Sequence, residues 1–242
     1  LKRLGGFDVT TYLKAVPLLL RNPQIALAPL LAAVANVLLL SVVPMDGGFL
    51  GFANASIVQL IAFLIDLGGL AVAIVVADAA WRYGRAPLDD AIAQSKRRGS
   101  DILIAGIGFS FLVSVAGYVG AIFGGPGSEV LTAAAFVICI YMLPAAAIGG
   151  IPGSASLQVS GERVRGAPAA AIVIAIVFFL GTRLGPQAVI VALQPLILTS
   201  SILSMGVVSS LIVAALKAIF SGYVALVIAK SYEDASYGRR SY

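Results

Sequence analysis

Apolar residues in this chain come in long unbroken runs, and the polar residues collect between them. Runs of about 20 apolar residues, the length that crosses a hydrocarbon core, cover 24–43, 57–77, 102–123, 130–148, 167–182 and 206–229. The pattern predicts an all-α integral membrane protein with six transmembrane helices in one domain, 1–230, the fifth span being short. Segment 186–200 is apolar but too short, and too broken by Pro195, to count as a seventh span, and reads as interfacial or re-entrant. Residues 231–242 mix acids, bases and tyrosines without apolar periodicity and read as a cytoplasmic tail, flexible or lying on the headgroups.

The charges between the runs set the expected orientation. Fourteen basic residues fall before span 1, in the loops after spans 2 and 4, and after span 6, whereas the opposite connections hold only Arg183. By the positive-inside rule both termini are expected in the cytoplasm of a bacterial-type inner membrane, and an odd span number would destroy this segregation.

The polar stretches also resemble one another. In 86–98, Pro87 suits a first helical turn, Asp89 and Asp90 complement the positive end of the helix dipole, Lys96, Arg97 and Arg98 complement the other end, and Gly99 suits a stop. Leu88, Ala91, Ile92 and Ser95 fall on one face of that helix. A similar amphipathic helix begins at Asp8, with Val9, Tyr12, Leu13 and Val16 on one face, and another at Ser154. They end at Arg21, Arg98 and Arg165, each followed by a breaker. Three units result, each a short cytoplasmic helix followed by a transmembrane hairpin. The plainer alternative is that any inside loop entering a span reads basic and then broken, and the arginine spacings of 77 and 67 are unequal.

The stretches YLKAVPLLLRNPQIALAPLLAAV, AIAQSKRRGSDILI and GIPGSASLQVSGERVRG resemble a broad group of six-span bacterial membrane proteins, itself similar to the membrane domain attached to some glycerophosphodiester phosphodiesterases. The resemblance implies a bacterial inner-membrane protein without an assigned chemistry. Phosphodiesterase activity does not carry over, because no soluble catalytic segment and no histidine accompany these motifs.

Composition narrows the function. Of 242 residues, 60% are hydrophobic and 11% charged, against about 25% charged in a soluble domain. The absence of histidine removes Ser-His and Cys-His nucleophile pairs and imidazole-held zinc or haem. The single cysteine, Cys139, lies in an apolar run and reads as a packing residue. The expectation is therefore no enzyme, no metal site and no cofactor, and the net charge of +5 is read as membrane topology rather than as affinity for nucleic acid.

Two ionisable residues lie deep in spans, where each costs about 2.5–3.5 kcal/mol unless partnered. They are Asp66 in span 2 and Lys217 in span 6. Counted from the same side of the membrane their depths differ by about 3 Å, so they are expected to pair. Gln59, Ala62, Gly69 and Ala73 share the helical face of Asp66, and Ser210, Ala214, Ser221 and Ala225 share that of Lys217. Gln59 and Asn36 are the candidate polar lining of the bundle. The pair is either a coupling site, as in secondary transporters, or a structural ion pair that docks two spans. Arg21, Lys96, Arg97, Arg98, Arg163 and Arg165 form a candidate surface for anionic lipids.

With few polar groups at depth, the expected function is a scaffold or accessory subunit that packs against lipids, a membrane-protein partner or a second copy of itself. The alternative is a small transporter or permease component with Asp66 and Lys217 as coupling charges.

Overall fold

The computed structural model describes residues 8–42, 49–181, 188, 191 and 202–237, and these are helical with no strand among them. In chain order the helices are α1 (Val9–Arg21), α2 (Leu27–Val42), α3 (Phe49–Tyr83), α4 (Leu88–Arg97), α5 (Gly99–Ala121), α6 (Gly125–Cys139), α7 (Met142–Ala147), α8 (Ser156–Gly166), α9 (Pro168–Phe179) and α10 (Ile202–Tyr237). Among them, Ile57–Tyr83, Gly99–Ala121, Gly125–Ala147 and Ser210–Ala235 are long and apolar enough to cross a membrane. A fifth such unit is α1 with α2, bent by 95°, and α9 is apolar but shorter. The expected re-entrant segment 186–200 lies outside the described residues except at 188 and 191.

The short helices α1, α4 and α8 gather at one end of the bundle, where hydrogen bonds replace what the chain breaks remove. Asp8 caps α1, its Oδ1 accepting from the Thr10 backbone N–H at 2.9 Å. At the other end of α1 the Asn22-Pro23 pair stops the helix. Asn22 is fully buried. Its Nδ2 donates to Leu18 O at 3.0 Å and Gly84 O at 3.3 Å, and its Oδ1 accepts from Ala86 N at 3.3 Å. Gln24 donates to Ala86 O at 3.0 Å. One buried amide thus ties the α1–α2 corner to the loop after α3, where Gly84 takes the left-handed conformation (φ 74°).

The apolar side chains expected on one face of α1 divide between two surroundings. Val9, Leu13 and Val16 are exposed, whereas Thr11 and Ala15 are buried and Tyr12 packs on the core. Of the face expected on α4, Ala91 and Ser95 are buried and Leu88 half-buried, whereas Ile92 is exposed. Gly99 does not terminate that segment: α4 closes at Arg98, and Gly99 opens α5 directly.

Segment 125–147 is interrupted at Ile140–Tyr141, between α6 and α7. Pro144 has no N–H for the carbonyl four residues back, so the helix cannot run straight through. The Tyr141 N–H donates instead to Ser160 Oγ of α8 at 3.1 Å, and Ser160 Oγ donates to Ile138 O at 2.5 Å. The Tyr141 hydroxyl bonds Ser231 Oγ of α10 at 2.6 Å.

Close helix contacts rest on glycine and alanine. A Cβ on Gly120 of α5 would sit 2.5 Å from Gly127 O, and one on Gly69 of α3 would sit 2.7 Å from Ala32 Cβ of α2. Gly222 of α10 lies against Ala26, and Ala214 and Ala218 are buried.

The tail departs from expectation. Residues 231–237 continue α10, because Lys230 pairs with Glu233 at 3.1 Å and Asp234 at 3.2 Å along the helix surface. Trp81 packs on the core and donates to Leu226 O of α10 at 2.9 Å.

Candidate functional site

The site starts from a close approach. With no Cβ at Gly69, α2 lies against α3 near Ala28 and Pro29, which brings Asn36 of α2 alongside the turn from Ala62 to Asp66. Asn36 Nδ2 donates to Ala62 O at 3.0 Å and to Asp66 Oδ1 at 2.8 Å. Lys217 Nζ, from α10, lies 2.5 Å from Asp66 Oδ2. Both carboxylate oxygens therefore have a donor, one neutral and one charged. Asn36 itself is buried, and its Oδ1 has no hydrogen-bond partner among the described residues.

The charge pair borders a cavity of about 300 Å³. Asp66, Lys217 and Ser221 line it, with Thr132 contributing a further hydroxyl. The lining also holds a run of four phenyl rings from four helices: Phe63 (α3), Phe109 (α5), Phe136 (α6) and Phe178 (α9). Phe63 stacks on Phe109 with centroids 6.1 Å apart, Phe109 meets Phe136 edge-on at 5.4 Å, and Phe136 meets Phe178 at 4.9 Å. Among the described residues lining this space, only Asp66 and Lys217 are ionisable, so its walls carry no net charge.

The structure brings Asp66, Lys217 and Asn36 together. Gln59, expected on the same polar face, is exposed: it lies nearly two turns from Asp66 towards the start of α3, beyond the stretch that Asn36 covers. Ser221 follows Lys217 by one turn into the cavity, while Ala214 and Ala225 are buried in packing. The phenyl run was not foreseen, since a phenylalanine in an apolar span carries no local mark of the direction it faces.

The six basic residues expected as a lipid surface do not act as one set. Arg163 lies over the Tyr232 ring, 3.6 Å from its centroid, and donates to the Tyr232 carbonyl, so it is engaged inside the protein. The Arg98 guanidinium lies against Gly150, itself at φ 72°. Arg97 and Arg98 share an open polar notch with Asp90 and Asp101. Arg21, Lys96, Arg97 and Arg165 are exposed.

Among the described residues no three of His, Cys, Asp or Glu gather where they could hold a metal ion. Asp78 bonds Arg82 at 3.0 Å, one turn along α3, and lies about 18 Å from Asp66 along that helix, too far for two carboxyls to share a proton. What the cavity offers chemically is an ammonium group, a carboxylate, hydroxyls and aromatic rings. No family model, no curated protein and no solved structure matches the chain.

Proposed function

We propose that this chain is a non-enzymatic protein of a bacterial-type inner membrane that binds a small amphipathic molecule between its helices, as a transporter or permease component with Asp66 and Lys217 as coupling charges. The observation that carries this reading is the charge pair at the edge of an aromatic-lined cavity. A pair that only docked α3 onto α10 would be closed over by packing. Here 33% of the Lys217 side chain and 30% of Asp66 stay accessible, and both line the space. Six spans with both termini in the cytoplasm complete the proposal, with α1–α2 and α9 added to the four longer apolar units and the basic residues at the α1, α4 and α8 end facing inward. The three short helices would then each introduce one hairpin of a threefold plan.

The accessory-subunit reading ranks second and rests on α5. Phe111, Tyr118, Ile122 and Phe123 are exposed along or just beyond it, a surface that a membrane partner, a second copy or lipid chains would cover.

The test is thermal stabilisation of the full chain in nanodiscs by a panel of small amphipathic compounds, wild type against Phe136→Trp, which narrows the cavity. Stabilisation of the wild type that the variant loses is the expected result. If no compound stabilises the wild type and native mass spectrometry finds a stoichiometric protein partner, the accessory reading replaces this one.

A further inference from the structure

Resting on that reading, we propose that the cavity takes a small aromatic carboxylate and that one proton enters with it. The polar lining of the cavity offers ammonium and hydroxyl donors beside a carboxylate that already holds a donor on each oxygen. Both oxygens of Asp66 are engaged, by Asn36 at 2.8 Å and Lys217 at 2.5 Å. The Lys217 ammonium has three N–H groups, of which Asp66 takes one, and the Ser221 hydroxyl lies one turn further along the same helix. Such a site selects a head rich in acceptor oxygens.

The aromatic lining selects the body. An apolar cavity of about 150 Å³ holds one benzene ring, so about 300 Å³ accommodates a ring together with its polar substituent. The four phenyl groups already meet one another by stacking and edge contacts, and a planar guest extends both geometries.

Charge fixes the proton. The empty site is neutral, since Lys217 offsets Asp66 and no other ionisable side chain among the described residues lines the space. From α2 the group facing Asp66 is the uncharged Asn36, from α10 it is Lys217, and the cavity-lining residues of α5, α6 and α9 are uncharged. A bare carboxylate would leave one uncompensated negative charge among phenyl rings, which is strongly unfavourable. Neutrality returns when Asp66 Oδ2 takes a proton from water as Lys217 moves its N–H from Asp66 to the guest. Asp66 Oδ1 keeps its bond from Asn36 throughout. On release the proton returns to water and the Lys217–Asp66 pair reforms, so anion and proton move together.

The experiment is calorimetric titration of the full chain in nanodiscs with benzoate and with benzamide, in buffers of different ionisation enthalpy. Benzoate is expected to bind with uptake of close to one proton, its affinity falling about tenfold per pH unit for as long as that uptake holds, and benzamide to bind much more weakly. Asp66→Asn, whose amide stands in for the protonated acid, is expected to bind benzoate without proton uptake and with little pH dependence. Benzoate binding by the wild type without proton uptake, or equal binding of benzamide, overturns the proposal without recourse to the variant. If benzoate fails while another compound of the panel stabilises the wild type but not Phe136→Trp, the carboxylate proposal falls and the cavity reading stands. Failure of every compound removes both.

Discussion

The ammonium of Lys217 and the carboxylate of Asp66 close a contact across 151 residues of chain, and Asn36 holds the carboxylate oxygen that the lysine leaves. The three groups join α2, α3 and α10 at one depth. Removing one charge strands the other in an apolar setting, whereas removing both leaves a neutral, packable site. Lys217→Met alone should lower stability by about 1–3 kcal/mol, less than for a fully buried pair because about a third of each side chain is accessible, and Asp66→Leu with Lys217→Met by markedly less than the single change. Thermal unfolding of the three proteins in one detergent checks this. In proteoliposomes the folded double variant should lose flux, and flux that survives it removes the coupling role.

Gly149 and Tyr232 are fitted to each other. A Cβ on Gly149 would overlap the Tyr232 hydroxyl and come 2.7 Å from Ala145 O, and that buried hydroxyl has no hydrogen-bond partner among the described residues. Gly149→Ala should cost about 1–3 kcal/mol through overpacking. Tyr232→Phe should recover part of the loss, leaving the contact with the Ala145 carbonyl. A double-mutant cycle measures the coupling, and strict additivity would show that the two positions do not press on one another.

The sequence reveals some of these relationships and hides others for physical reasons. The depths of Asp66 and Lys217 are legible because a spanning helix rises by a fixed amount per residue and its membrane boundaries show in the polarity pattern. That Asn36 rather than Gln59 completes the cluster is not legible, because it depends on how far α2 slides along α3, which the backbone contact at Gly69 sets. The phenyl wall is hidden for a related reason: in a helix apolar on every side, hydrophobicity does not separate inward from lipid-facing positions. Phe111 is exposed while Phe109, two residues earlier, is buried. The break at Ile140–Tyr141 could have been inferred from Pro144, but not its repair by Ser160. The helical course of 231–237 was obscured because its acids were read as loop composition rather than as partners of Lys230 one turn away.

Asn22→Ala removes the amide that bonds Gly84 O and Ala86 N at once. The alanine leaves part-buried backbone groups without those partners, and the expected loss is about 2–3 kcal/mol. The corner between α1 and α2 should loosen before the bundle does. Hydrogen exchange at 84–87 should therefore rise in the variant well below its melting temperature, and unchanged exchange there would show that the clamp is dispensable.

Cys139 supplies a native reporter, being the only cysteine in the chain and 1% exposed. A membrane-permeant maleimide should leave it unmodified in the folded protein and label it on denaturation. Labelling of the intact protein at a rate near that of a free thiol would show that the α6–α7 break opens readily. Slow labelling that speeds up in Ser160→Ala would instead identify the Ser160 bonds to Tyr141 N and Ile138 O as what keeps the break shut.

Phe136 is the ring on which the cavity wall depends, because it touches Phe109 on one side and Phe178 on the other. Its replacement separates wall from void. Phe136→Ala deletes both ring contacts and enlarges the space, at an expected cost of about 3 kcal/mol, reduced where neighbouring side chains relax into the gap. Phe136→Trp keeps an aromatic surface and narrows the void, so it should fold nearly as well as the wild type while excluding guests. If the ring serves only packing, small-molecule stabilisation should be the same in the wild type and in both variants. If it forms a binding wall, Phe136→Trp should lose stabilisation by ring-sized compounds, and Phe136→Ala should shift preference towards larger ones. A melting-temperature series across compounds of graded size distinguishes the two.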